Sequence, residues 1–252
     1  MLHSTSLQNR HALITGGGTG IGLAIANALL AHGATVTITG RRAAVLHDAA
    51  GDRMSTQVMD VTDAASVITA TKAAVAAHGP IQIMVANAGI AEGESFKRTD
   101  LDHWNRTMQT NLTGAFLSIQ AAMHSMASTD WGRVIGVSSI AGVRGLKGAT
   151  AYTASKHGLV GLIRGLSAEY LGGPMTFNAL CPAYVDTEII SRNVTSITER
   201  TGLSADAALA AMVSQNLHKK LISVEDVGAA AAWLCLPGSD AINGQTIEMA
   251  GG

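Results

Sequence analysis

Short apolar runs of strand length alternate with longer helical patterns along this whole chain of 252 residues. The first run, HALIT at residues 11–15, leads through a glycine-rich turn into an apolar helical segment that ends at Gly33. Further strand-like runs follow, and strands and helices keep alternating to the end. This alternation predicts parallel strands joined by right-handed helical crossovers. We therefore expect an α/β fold with a doubly wound, parallel, seven-stranded sheet flanked by helices.

No linker, internal repeat or low-complexity stretch interrupts the alternation, so we expect one single domain over residues 1–252. Hydrophobic residues make up 47% of the chain and charged residues 14%, which provides enough apolar material for one large core. The net charge of −1 argues against electrostatic binding of nucleic acid or of an anionic membrane.

Cellular location and metal binding can be predicted from a few residue types and from the first residues. Cys181 and Cys235 lack the CxxC spacing, so neither a disulfide framework nor a thiolate metal site is expected. The nine histidines show no HxxxH or HExxH pairing, and we predict no metal site. The first residues lack an export signal, and the apolar runs are too short or too broken to span a membrane. The sequence favours a cytoplasmic protein without a membrane segment.

The first strand enters the turn GGGTGIG, whose spacing is Thr15-Gly16-xxx-Gly20-x-Gly22. Glycines let the backbone turn tightly and approach a pyrophosphate, whose negative charge is favoured at a helix N-terminus. A glycine-rich turn alone can also be a tight connection between a strand and a helix. The strand before it and the helix after it favour a dinucleotide site, and therefore a Rossmann-type sheet.

Arg41 and Arg42 follow the second strand, about twenty residues beyond the glycine-rich turn. An NAD site usually places a carboxylate here, on the ribose 2′-hydroxyl, and this chain has none. A guanidinium suits a 2′-phosphate, so NADP is favoured over NAD. The alternative is that these arginines are only solvated charges at a strand end.

Two further strands end in residues that could face the same ligand, because open parallel sheets bind ligands beyond the carboxyl ends of their strands. Asp60 follows the third strand, where it could contact an adenine edge or cap the next turn. Asn87, Ala88 and Gly89 follow the fourth strand. Gly89 would permit close approach of a cofactor, and Asn87 could simply bind backbone groups at the strand end.

Ser138 and Ser139 end the fifth strand, and Tyr152 and Lys156 follow in one helical segment. A tyrosine and a lysine four residues apart share one helix face, so the ammonium can lower the pKa of the phenol. This pair therefore predicts a proton donor that is usable near neutral pH.

Two long segments carry weaker signals. A predicted long helix at residues 101–127 contains Asn111, and an amide in the middle of a helix is usually exposed or bonded to a local carbonyl. Local physics therefore assigns Asn111 no role. Residues 188–222 show no strand pattern, and such a segment at the carboxyl edge of a sheet is often a substrate lid. It could also be a helical pair packed on the body, and both interpretations can hold together.

Several motifs stand in one order along the chain: Thr15-Gly16-xxx-Gly20-x-Gly22, Asn87-Ala88-Gly89, Asn111, Ser139, Tyr152-xxx-Lys156 and Pro182-xxxx-Thr187. Each motif alone is common, but the ordered set is specific. The chain resembles the short-chain dehydrogenase/reductases over essentially its whole length, and in particular the 3-oxoacyl and polyketide ketoreductases. The resemblance implies an NAD(P)(H)-dependent oxidoreductase that interconverts a secondary alcohol and a ketone by hydride transfer.

The resemblance also implies roles for individual residues. Tyr152 would act as general acid/base, Lys156 would lower its pKa and hold the nicotinamide ribose, and Ser139 would bind the substrate oxygen. Asn111 resembles the family residue that holds a water linking Lys156 to solvent, so the resemblance overrules the local interpretation. The implied substrate contacts are Ser139, Ala141, Tyr152 and Tyr184. The implied cofactor contacts are Gly16, Thr19, Gly20, Ile21, Gly22, Arg41, Arg42, Asp60, Val61, Asn87, Ala88, Gly89, Tyr152, Lys156, Pro182, Val185 and Thr187.

Two positions depart from the family pattern. Ala183 stands where the family usually has the glycine of a Pro-Gly pair, and Ala250 stands near a position that is usually acidic. Ala183 could narrow the nicotinamide pocket if its backbone needs a glycine-like conformation. Neither departure changes the proposed acid/base set.

Substrate and assembly are less defined. The resemblance favours a 3-oxoacyl thioester or related ketone as substrate, and a homotetramer as assembly. Lys147, Lys219 and Lys220 could contact a carrier phosphate or be ordinary surface lysines. A dehydratase or epimerase of the extended branch would need glycine in place of Thr19 and a longer C-terminal substrate domain. A non-catalytic nucleotide-sensing protein would not need the acid/base set that this chain carries.

Overall fold

The computed structural model describes residues 6–214 and 216–251, and its centre is one parallel sheet. The sheet has seven strands in the order β3-β2-β1-β4-β5-β6-β7, and every pairing is parallel. This confirms the predicted doubly wound sheet. The strands are β1 His11–Thr15, β2 Thr35–Gly40, β3 Ser55–Val58, β4 Ile81–Ala86, β5 Gly132–Val137, β6 Met175–Pro182 and β7 Thr246–Met249.

Helices cover both faces of the sheet. The helices are α1 Gly20–Ala31, α2 Ala43–Ala50, α3 Ala64–His78, α4 Leu101–Met108, α5 Gly114–Met126, α6 Thr150–Glu169, α7 Glu188–Thr201, α8 Ala205–Val213 and α9 Val224–Trp233. Helices α1, α2 and α9 contribute side chains to the core on one face, whereas α5 and α6 pack on the other. None of the described helices is both long and apolar enough to cross a bilayer.

The apolar runs of β1, β4, β5 and β6 arise because these central strands are buried on both faces. Successive residues of a strand point to opposite faces, so Leu13 packs in the core of α5 and α6 while Ile14 packs in the core of α1 and α9. Met84 and Val85 on β4 divide between the two cores in the same way. A strand with two covered faces has few polar positions, and its sequence is therefore largely apolar.

The predicted long helix at residues 101–127 is wrong as one regular helix. A π-helical turn, Gln109–Thr113, separates α4 from α5. Such a turn changes the direction of side chains without ending the helix, so the hydrophobic pattern on either side stays helical. π-Helical turns occur frequently at functional sites, and this one carries Asn111.

Residues 188–222 contain the helical pair that one interpretation of the sequence predicted. The pair α7 and α8 leaves the sheet after β6 and returns at Ile222, which bridges Val185 in parallel. The two ends of this segment therefore lie side by side. We call residues 188–213 the flap, because α7 and α8 both line a cavity at the carboxyl edge of the sheet.

Candidate active site

The candidate site follows the carboxyl ends of the strands, where the sheet order changes direction between β1 and β4. Such a switch point leaves a crevice between the loops that follow the two strands, and ligands of open α/β sheets bind there. Three adjoining cavities line this edge. We call them the outer, middle and inner cavities, with volumes of about 650, 400 and 240 Å³ respectively.

Ser139 and Tyr152 both line the inner cavity. Ser139 begins a short 3₁₀ turn after β5, and its Oγ accepts a hydrogen bond from Ala141 N at 3.1 Å. Tyr152 lies in the first turn of α6, and its phenol is hydrogen-bonded to the Ser139 hydroxyl. Tyr152 and Ser138 also line the middle cavity, so this tyrosine stands where the two cavities meet.

The pKa of Tyr152 is raised, not lowered. Burial is the largest cause, the hydrogen bond from Ser139 opposes it, and nearby Tyr184 adds a smaller increase. The prediction that Lys156 lowers this pKa is wrong for the protein in this arrangement. Lys156 Nζ lies 5.8 Å from the centre of the Tyr152 ring and donates instead to the Val137 carbonyl at 2.9 Å.

Lys156 is buried, and it lines the middle cavity. Burial lowers the pKa of its ammonium from 10.5 to about 8, because the charged form loses hydration. Ser138 Oγ donates to the Lys156 carbonyl at 3.0 Å, so Ser138 holds the α6 backbone. Both serines line the inner cavity, but the Ser138 hydroxyl is bound to the helix backbone, whereas the Ser139 hydroxyl faces Tyr152.

Asn111 is only 1% exposed, so the local interpretation of an exposed helix amide is wrong. Its Oδ1 accepts from Ile90 N at 2.8 Å, and its Nδ2 donates to Ile90 O at 2.9 Å and to Ser155 Oγ at 3.1 Å. Ser155 in turn donates to the Tyr152 carbonyl at 2.7 Å. Asn111 therefore connects the loop after β4 with the helix that carries Tyr152 and Lys156.

The glycine-rich turn fits a dinucleotide phosphate. Gly20 has a positive φ of 53°, and a Cβ on Gly22 would overlap the Gly16 carbonyl. Thr19 precedes α1 without a side-chain cap, and the first turn of α1 contains no acidic residue. The first N–H groups of this helix are thus left for a ligand in the middle cavity, which Thr19, Gly20 and Gly22 line.

Asn87 binds the glycine-rich turn to β4. Its Nδ2 donates to Thr15 O at 2.9 Å and to Gly16 O at 3.2 Å, as the alternative interpretation of a strand-end tie predicted. Thr15 Oγ1 accepts from Asn87 N and Ala88 N, both at 3.0 Å. Thr15 was given no role from the sequence, although a polar residue at the end of an apolar strand could have indicated one. Ala88 and Gly89 line both the middle and the outer cavity.

The outer cavity is rich in arginine. Arg41 and Arg42 line it together with Arg106 and Arg192. Asp60 and Val61 also line it. Asp60 Oδ1 accepts from Thr62 N at 2.9 Å and from Thr62 Oγ1 at 2.7 Å, and these bonds, with a smaller effect of Arg41, lower the pKa of Asp60. Asp60 therefore caps its turn and faces the cavity as well.

Some of the remaining predicted residues line a cavity, and one of them instead supports a residue that does. Tyr184 lines the inner cavity, and Thr187 lines both the inner and the middle cavity. Pro182 and Val185, expected as cofactor contacts, line the inner cavity and neither of the other two. The prediction that Ala141 contacts the substrate is wrong. Its side chain is completely buried and does not line the inner cavity, because its backbone N–H is turned toward Ser139 Oγ. It supports Ser139 and has no place in the cavity wall.

Ala183 also lines the inner cavity. Asn9 and Lys219 are the non-glycine residues with positive φ among those described, so Ala183 needs no glycine-like conformation. The departure from the Pro-Gly pattern imposes no backbone strain. The segment 188–222 was predicted as a substrate lid, but helix periodicity does not show which of its side chains turn toward the site. Those that do are Ile189, Ile190, Asn193, Ser196, Ile197 and Met212.

Comparison with known proteins places these features in a family. A family model described as short chain dehydrogenase matches residues 10–197. D-beta-hydroxybutyrate dehydrogenase of Cupriavidus necator is 30% identical, and 3-oxoacyl acyl-carrier-protein reductase FabG of Salmonella typhimurium is 31% identical; each match covers 98% of both chains. Among solved structures, a variant actinorhodin polyketide ketoreductase with NADPH is similar with a TM-score of 0.92, 27% identity and 96% coverage of both chains. Levodione reductase is similar with a TM-score of 0.89, 27% identity and 98% coverage of both chains.

Proposed function

Because this chain belongs to the short chain dehydrogenase family and is an oxidoreductase acting on ketones and alcohols, we propose that Tyr152 moves the proton of its reaction. The observation that carries the proposal is the position of Tyr152 between the inner and middle cavities. A substrate in the inner cavity and a cofactor in the middle cavity would meet at this side chain. The phenol would give its proton to a ketone oxygen, or accept one from an alcohol.

Ser139 is proposed to hold the substrate oxygen beside Tyr152. Its Oγ accepts from Ala141 N, and its proton, which faces the Tyr152 phenol, would turn to a substrate oxygen bound between the two hydroxyls. Two hydroxyl donors aimed at one oxygen stabilise the negative charge that develops on it during reduction. The Tyr152 phenol is protonated near neutral pH and can donate; burial raises its pKa, so the charge of the bound cofactor and substrate complex would have to offset that burial during transfer.

A nicotinamide cofactor is proposed to occupy the middle and outer cavities, and when bound it supplies the hydride-transfer chemistry. Thr19, Gly20 and Gly22 would bind its phosphates through the open N-terminus of α1. Lys156 lines the same cavity and would hold the ribose hydroxyls. Arg41 and Arg42 support NADP over NAD, because guanidinium groups match a 2′-phosphate.

A 3-oxoacyl thioester or related ketone is the proposed substrate. The inner cavity is mainly apolar, with Lys147 at its mouth and Asn193 and Ser196 on the flap side. Two of the similar proteins are a 3-oxoacyl reductase and a polyketide ketoreductase by name. Lys147 is thus the cavity lysine that could meet a carrier phosphate. Lys219 and Lys220 do not line this cavity, and Lys219 Nζ donates to Ser214 O at 2.7 Å.

A homotetramer is the proposed assembly, with α5 and α6 among the contact surfaces. Phe116 is 42% exposed on α5, and Met123, Leu162 and Leu166 line a groove between the two helices. A second copy of this chain would cover these apolar side chains, as the family resemblance implies. Sedimentation of a monomer at micromolar concentration would contradict this proposal. The cytoplasmic location stays a prediction from the sequence.

The activity is tested by following the absorbance of reduced nicotinamide with a panel of ketones, 3-oxoacyl thioesters and secondary alcohols, using NADPH and NADH. We expect Tyr152→Phe to abolish turnover and to leave the Kd of the reduced cofactor nearly unchanged. Tyr170→Phe is the matched control, since Tyr170 follows the far end of α6 and lines neither the inner nor the middle cavity. Undiminished turnover by Tyr152→Phe would refute the role of this residue.

A further inference from the structure

Asn216 lies after the flap, and its completely buried side chain holds both backbone polar groups of Tyr184. Tyr184 N donates to Asn216 Oδ1 at 3.0 Å, and Asn216 Nδ2 donates to Tyr184 O at 2.9 Å. Nδ2 also donates to Lys220 O at 2.6 Å. One amide side chain thus satisfies three backbone groups from two segments that are distant in sequence. We call this set of bonds the flap clamp.

The flap clamp joins the two ends of the flap. Tyr184 precedes α7, whereas Asn216 and Ile222 follow α8. Ile222 N donates to Tyr184 O at 2.9 Å, and Asp186 N donates to Ile222 O at 2.9 Å. A long loop with its ends held together loses much of its freedom, and here that loop contains both helices that cover the inner cavity.

The turn after Asn216 is strained and tightly held. Lys219 has a φ of 58°, a left-handed conformation that is unfavourable for a residue with a Cβ. Lys219 N donates to Asn216 O at 3.0 Å. Strain of this kind persists only where surrounding contacts impose it, and such sites are frequently functional. The Asn216 backbone and side chain supply two of those contacts.

The end of the chain packs against the same turn. Leu217 N donates to Ala250 O at 2.8 Å, and a Cβ added to Gly251 would lie 2.5 Å from the His218 ring. Ala183 N donates to Met249 O at 2.9 Å. The end of β7 and the two residues after it therefore hold both the turn at Asn216 and the strand end that precedes Tyr184.

We propose that Asn216 is a positioning residue for substrate binding, which fixes the Tyr184 side chain in the inner-cavity wall and sets the flap over that cavity. The inference rests on the proposed function, because it assigns the inner cavity to the substrate. Asn216 lines neither the inner nor the middle cavity, so its effect on the substrate is exerted through Tyr184 and the flap. The flap clamp defines the shape of the substrate site and leaves the glycine-rich turn untouched.

The test uses the full-length protein with the variant Asn216→Ala and S-acetoacetyl-N-acetylcysteamine, a small 3-oxoacyl thioester, as the probe. We expect the KM for the thioester to rise about tenfold, because small displacements of positioning groups weaken productive binding strongly. Hydrogen exchange of the Tyr184 and Asp186 amides should become faster. The Kd of NADPH, measured by its fluorescence, should change much less than the KM. The flap contributes only residues of α7 to the cofactor cavities, whereas the glycine-rich turn and Lys156 are outside the flap.

Asn178→Ala is the matched control. Asn178 is 1% exposed and makes a similar double contact, because it donates to Ile242 O at 2.7 Å and accepts from Gln245 N at 3.0 Å. It lies in the middle of β6 and lines none of the three cavities. We expect this variant to lose stability but to keep the KM of the wild type.

Unchanged exchange of the Tyr184 amide in Asn216→Ala would overturn the proposal. Faster exchange with an unchanged KM would also overturn it, since Asn216 would then be purely structural. A wild type that does not reduce the thioester would instead refute the proposed substrate class, and the fastest ketone of the panel would replace the probe. If Asn216→Ala does not fold, Asn216→Ser, which keeps a small polar group, is measured in the same way.

Discussion

The side-chain amide of Asn111 pairs with both backbone polar groups of Ile90. Oδ1 accepts from Ile90 N at 2.8 Å, and Nδ2 donates to Ile90 O at 2.9 Å. This pairing holds the π-helical turn between α4 and α5 against the loop that follows β4. The same amide donates to Ser155 on α6. One side chain therefore connects the π-helical turn, the loop after β4 and the helix that carries Lys156.

Asn111→Ala should destabilise the protein by about 2 to 3 kcal/mol, because Ile90 N–H and C=O lose their buried partner. The loop after β4 should loosen, and turnover should fall with it. Urea denaturation and the nicotinamide assay measure the two effects. Gln109→Ala is the control on the same turn, since Gln109 is exposed and makes one bond, to Thr62 O at 3.2 Å. If Gln109→Ala lost as much stability and turnover as Asn111→Ala, the pairing with Ile90 would not be the cause of the effect.

Lys156→Met should increase the free energy of unfolding at pH 7 by up to about 3 kcal/mol while abolishing turnover. Burial lowers the pKa of Lys156 to about 8, so the charged side chain costs stability at neutral pH. The cost disappears with proton loss. Between about pH 8 and 10.5 the folded wild type is neutral at Lys156 while the unfolded chain is still charged, so wild-type stability rises with pH and the advantage of the variant should vanish. Urea titrations of both proteins at pH 7 and pH 10 check this. A gain that is independent of pH would contradict the electrostatic explanation.

Arg41→Asp should raise the Kd of NADPH about tenfold or more and leave that of NADH nearly unchanged, because it removes a guanidinium from the outer cavity. Cofactor fluorescence titration measures both constants. Arg53→Asp introduces the same charge change at an exposed position just beyond α2, outside the outer cavity, and should alter neither. If a preference for NADPH exists and survives in Arg41→Asp, Arg41 is not its source.

Stability should decline as the pH falls below about 6.5, and His11 should account for part of the decline. Burial is the main cause that lowers the pKa of His11, and His78 adds to it, while the Gly79 carbonyl opposes both. A folded-state pKa below the unfolded value means that folding favours neutral His11, so its contribution is full above pH 6.5 and is lost in acid. His11→Gln should show a smaller loss between pH 7 and pH 5. His47→Gln, at an exposed site on α2, should behave like the wild type in the same urea titrations.

The parts of the site that the sequence predicted correctly are those that follow from local position. Ser139, Tyr152 and Lys156 were placed together because a strand end and a helix face determine where such side chains lie. Arg41 and Arg42 were predicted because they follow β2 directly, whereas Arg106 on α4 and Arg192 on α7 reach the outer cavity only through the tertiary structure. Ala141 was placed wrongly, since it lies four residues beyond the end of β5, in a 3₁₀ turn, where strand periodicity no longer indicates the direction of a side chain.

The alternation of strands and helices by itself determined the parallel sheet and the edge at which the site lies, because strand direction and side-chain periodicity are local properties of the chain. The tertiary structure alone decided the π-helical turn, the raised pKa of Tyr152 and the flap clamp. Asn111 and Ile90 are 21 residues apart, and Asn216 and Tyr184 are 32 apart. No periodicity connects such partners, and burial, which shifts each pKa, arises only when distant segments close over a side chain.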